Sequence, residues 1–72
     1  MTSEYLERTL HEHQAEIASH LRNAHLMNSH DAFRCWYDLY QGCNKHREIL
    51  SIPRCQALEE QVEKLKKRMD SR

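Results

Sequence analysis

The sequence predicts an all-α fold, with three helices arranged as a helical hairpin or open bundle and a short coiled-coil segment at the C-terminal end. Three observations predict it. Only one glycine (Gly42) and one proline (Pro53) occur in 72 residues, too few turn formers for a sheet of several strands. Leu, Glu, Lys, Gln and Ala are plentiful while Val occurs once, which is the helix-favouring set. Apolar residues recur at helical spacing in three stretches separated by short breaks.

The first helix is expected over residues 4–27. Thr2 or Ser3 can cap it, and Glu4 and Glu7 suit the positive end of its dipole. At about 100° per residue, Leu6, Leu10, Ile17, Leu21, Ala24 and Met27 fall in one stripe, with His13 and His20 beside them. The opposite face carries His11, Glu12, Ala18, Arg22 and His25. Asn28-Ser29-His30-Asp31 then reads as a boundary, with Ser29 or Asn28 capping the next helix.

The second helix is expected over 31–50. Phe33, Trp36, Tyr37 and Tyr40 make an aromatic face, and Cys35, Leu39, Cys43, His46 and Leu50 adjoin it. Arg34, Asp38, Gln41, Lys45 and Glu48 mark the polar side. A helix with so wide an apolar surface packs against two neighbours, or against one neighbour and a foreign surface. Gly42 in mid-helix costs about 1 kcal/mol and marks either a kink or a close helix approach.

Ser51-Ile52-Pro53 interrupts the pattern, because proline disfavours helical geometry at the residue before it. Ser51 is the expected cap of a third helix over 54–69. There Cys55, Leu58, Val62, Leu65 and Met69 repeat at alternating spacings of three and four, an a/d seam. Glu60–Lys64 and Glu63–Lys67 are favourable i,i+4 pairs. Two heptads are too short to stand alone in water, so the seam needs a partner helix from this chain or another.

The chain is therefore expected to be one small helical domain over 1–72, with breaks at 28–31 and 51–53. Eleven basic and eleven acidic residues balance, which argues against a general pull toward nucleic acid. Apolar runs are too short for membrane insertion. The charged start MTSEYLERTLHEH lacks the apolar centre of a signal peptide. Three cysteines make no closed disulfide framework, so a reducing intracellular compartment is expected: cytoplasm or nucleus, with the mitochondrion left open.

Several chemistries compete with plainer readings of the same residues. Cys43 and His46 stand at i,i+3, and with Cys55 they are weak candidates for a metal-linked or redox-linked site. They lack a CxxC or HxxxH companion, and small free cysteines commonly pack as apolar groups. No cofactor is expected. Lys64, Lys66, Lys67, Arg68 and Arg72 could touch phosphate, but Leu65, Met69 and Asp70 interrupt them and no aromatic is interleaved as a stacking platform. Catalysis needs convergent groups in a cleft, which three short helices seldom provide, so no enzyme is expected.

The expected function is a protein–protein interaction module: a structural or adaptor subunit that binds a protein partner or a second copy. Phe33, Trp36, Tyr37, Leu39 and Tyr40 of the middle helix, and Leu58, Val62, Leu65 and Met69 of the last, are the expected partner-binding residues. The basis is area, since a chain this short has little room to bury so many large apolar side chains.

Overall fold

A computed structural model describes residues 2–71, with side chains from Glu4 onward. The proposed Thr2 or Ser3 cap and Arg72 fall outside the described side chains. Helix α1 spans Thr2–Leu26, α2 His30–Ile49 and α3 Gln56–Asp70, and no strand occurs among the described residues. The molecule is a rod, 44 × 17 × 15 Å.

Two tight connections set the architecture. Asn28 adopts a left-handed conformation (φ 54°) just past α1. The Asn28 and Ser29 amides donate back to the His25 and Ala24 carbonyls, which is a Schellman stop. Ser29 then caps α2 by accepting the Ala32 amide, as its sequence position predicts.

The second connection corrects the expectation for Ser51. It does not cap α3 but closes α2, in a left-handed conformation (φ 59°), with the Ser51 and Ile52 amides returned to the Glu48 and Arg47 carbonyls. Pro53 follows and keeps the chain extended, so α3 starts at Gln56 rather than residue 54. Its N-cap is Cys55, which supplies no side-chain hydrogen bond.

The middle of the bundle is α1, not α2. Helix α1 packs closely along both α2 and α3, while α2 meets α3 mainly through side chains. The core is Ile17, Ala18, Leu21 and Ala24 from α1, Phe33, Tyr40 and Cys43 from α2, and Val62, Leu65 and Met69 from α3. The α1 stripe is thus broader on one side and shorter at its ends than the pattern predicts. Leu6 and Met27 lie exposed, whereas Ala18 and His25, assigned to the opposite face, are buried. They are buried because α3 covers that side. A contact made by Ala, Gln and His leaves little hydrophobic signal in the sequence.

Candidate interaction surface

Two sides of the α1–α2 hairpin differ in kind. On the α3 side, a buried polar network joins every element. Gln14 donates to Asn44 Oδ1 (2.8 Å) and to the Tyr40 carbonyl (3.3 Å). Arg47 donates through Nε to Gln14 Oε1 and through Nη1 to the Pro53 carbonyl, each at 2.7 Å, and Nη2 lies 3.3 Å from His11 Nδ1. Asn44 donates to Glu59 of α3 at 3.0 Å. Gln14, Asn44 and Arg47 are all nearly inaccessible to solvent. The Arg47 cation is held by neutral acceptors, with no carboxylate in ion-pair range among the described residues. Such groups survive burial only when their hydrogen bonds are made, so this network fixes the register of three helices and the approach to α3.

No apolar periodicity points to Gln14, Asn44 or Arg47. The available clue is that Gln14 falls beside the Ile17–Leu21 stripe and Arg47 between Cys43 and Tyr40 at helical spacing.

The expected partner-binding residues divide. Phe33, Tyr40, Val62, Leu65 and Met69 lie within the chain's own core. The α3 ridge finds its partner helix in α1, so it requires no second protein. Leu58 and Tyr37 are half-buried, and the Tyr37 hydroxyl donates to Glu63 of α3 at 3.1 Å. Trp36 is half-buried and stacks on His20 of α1, with ring centroids 4.0 Å apart and planes 8° from parallel. Leu39 alone of the set is fully on the surface, at 53% exposure.

Leu39 is not isolated. Leu6, Ile49 and Leu50 are also large, apolar and exposed. Leu6, Leu10, His13, His46 and Leu50 border a groove of about 240 Å³ between α1 and α2, on the side away from α3. At about 100° per residue, the α2 sector from Gly42 round to Trp36 spans about 120° and contains no Asp, Glu, Lys or Arg. Contiguous apolar surface of this kind is a mark of docking sites on small proteins.

The thiols and the basic end follow from the same packing. Cys43 is buried, Cys55 half-buried and Cys35 exposed, and all three are free. Cys43 packs in the core, where burial pushes its thiol above its ordinary range and Arg47 opposes the shift. Among the described residues no three His, Cys, Asp or Glu side chains converge as a metal site, so Cys43, His46 and Cys55 are not brought together as one. Lys66 pairs with Asp70 at 3.0 Å and lies over the Tyr37 ring. Burial also raises Tyr40, to about 12, with Glu59 adding to the effect and Asn44 opposing it; no well-formed hydrogen bond reaches its hydroxyl among the described residues. Among the described residues no helix is long and apolar enough to cross a membrane. No family model matches the chain, and no similar protein was found among curated proteins or solved structures.

Proposed function

We propose that this protein is a helical protein–protein interaction module, a structural or adaptor subunit that docks through the outer face of its α1–α2 hairpin and performs no catalysis. One observation carries this. Core positions are filled and cross-linked by polar contacts, yet Leu6, Leu39, Ile49 and Leu50 remain in solvent on one side of the rod. Each large aliphatic side chain covered by a partner contributes roughly 1.5–3 kcal/mol, so a handful suffices for a micromolar complex before association costs.

The proposed docking surface is the Leu6–Leu50 side and the outside of α2, which keeps Leu39 of the residues expected from the sequence, while Phe33, Tyr40, Val62, Leu65 and Met69 lie in the chain's own core. For the alternative readings, no three metal-ligating side chains converge among the described residues, and Lys66 of the basic end is paired with Asp70.

The test is capture from the native cell, with wild type and Leu50→Asp as paired baits. The expected result is a stoichiometric protein, a second copy included, that the variant fails to hold. Equal recovery by both baits, or nothing on either, contradicts the proposal.

A further inference from the structure

The outside of α2 carries a second pattern, distinct from its core face. Cys35, Leu39, Gly42, His46 and Ile49 are spaced four, three, four and three residues apart, and all are exposed. That is a d-a-d-a-d seam, the repeat with which one helix meets another, and neither α1 nor α3 covers it. Gly42 is its centre. A Cβ built there meets nothing within 4 Å, so no contact inside the chain requires glycine. Glycine in mid-helix nevertheless costs about 1 kcal/mol against alanine. A glycine with no internal reason, at the midpoint of an exposed seam, fits a place where another helix backbone crosses closely.

The flanking charges identify that helix. Asp38 and Lys45 both sit on the same edge of the seam, and neither has an ion pair to a described residue. When two copies of α2 cross antiparallel at Gly42, Asp38 of each comes beside Lys45 of the other, giving two opposite-charge pairs related by a two-fold axis. The same crossing sets Cys35 against Ile49 and Leu39 against His46. The other edge of the seam (Trp36, Cys43, Leu50) carries no formal charge, so a parallel pairing gives Asp38 and Lys45 no opposite partner.

We infer that the chain forms a two-fold symmetric homodimer through the Cys35–Ile49 face of α2, antiparallel and crossing at Gly42. This deepens the proposed interaction role and rests on it, naming the partner as a second copy.

The experiment is sedimentation equilibrium on the reduced 72-residue chain up to about 100 µM at low salt, a range that registers micromolar affinity. The wild type is expected to approach twice the 8.7 kDa chain mass. Asp38→Lys is expected to weaken dimerisation at least tenfold, and Asp38→Lys combined with Lys45→Asp to restore it, with helicity by circular dichroism unchanged in both. A monomer throughout overturns the dimer, and so does a dimer indifferent to the charge reversals. A hydrophobic dye separates this from failure of the broader role: a monomer that binds dye at the hairpin face keeps a docking surface for a different protein, and one that binds none loses both.

Discussion

At the same level of the rod, the two sides of the α1–α2 hairpin invert the usual rule. Toward α3 the chain buries Gln14, Asn44 and Arg47; away from α3 it exposes Leu6, Leu39 and Leu50. On the buried side, Gln14, Asn44 and Arg47 are hydrogen-bonded between α1 and α2, from α2 to α3, and from α2 to the connection that precedes α3. The exposed side is apolar and unpaired. Burial therefore follows partnership, not polarity. A polar group can be buried when the fold supplies its acceptors, and a leucine stays outside when the fold has no further helix to cover it.

The sharpest way to break this comparison is Arg47→Ala. It opens a cavity and leaves Gln14 Oε1 and the Pro53 carbonyl without their donor. A loss of about 3 kcal/mol or more is expected in urea denaturation, most of what a domain of this size possesses. A change below about 1 kcal/mol would show that the network is incidental.

On the other side, Ile49→Ser sharpens the contrast. At 71% exposure Ile49 contributes little to the fold, so monomer stability is expected to move by no more than about 0.5 kcal/mol. Self-association by sedimentation is nevertheless expected to weaken severalfold. A large loss of thermal stability at low protein concentration would place Ile49 inside the fold instead.

Tyr40 probes a buried polar group whose hydroxyl is not well paired. Because its folded value is raised to about 12 from an ordinary 10, the folded state keeps a proton that the unfolded chain releases between those limits. Its stabilising effect is complete below pH 10 and is lost as pH rises toward 12; the raised Tyr37 acts in the same direction. Tyr40→Phe is expected to gain about 1 kcal/mol at neutral pH and to flatten much of the alkaline decline. Parallel urea titrations at pH 7 and pH 11 measure both, and an unchanged alkaline slope would remove Tyr40 as its source.

The smallest effect belongs to Lys66–Asp70. The pair is exposed, with the cation N-terminal to the anion and Asp70 at the negative end of α3. Asp70→Asn is expected to change thermal stability by no more than about 0.3 kcal/mol.

Much of this fold was legible. Helical spacing marked three segments, and Ser29 and Pro53 marked two boundaries, because those signals are local. Ser51 misled because serine both caps helices and, here, accepts the left-handed geometry that ends one. Gln14 and Arg47 stayed hidden because a satisfied polar contact has no sequence period. The site was legible only in outline. Excess apolar surface was evident, but Phe33, Tyr40 and the α3 ridge looked as available as Leu39 until the central position of α1 accounted for them. Gly42 was visible as a cost, and its meaning required knowing that nothing in the chain stands over it.

The central claim is that a second copy covers the outer face of α2, and Cys35 reports on it directly, since it lies in the seam and is free and exposed. The measurement is thiol labelling of Cys35, read by peptide mass spectrometry across a wide range of protein concentration. Its labelling is predicted to slow several-fold as concentration rises through the dimerisation range, while buried Cys43 stays slow throughout. Cys35 labelling at one constant fast rate from dilute to concentrated solution would contradict the account.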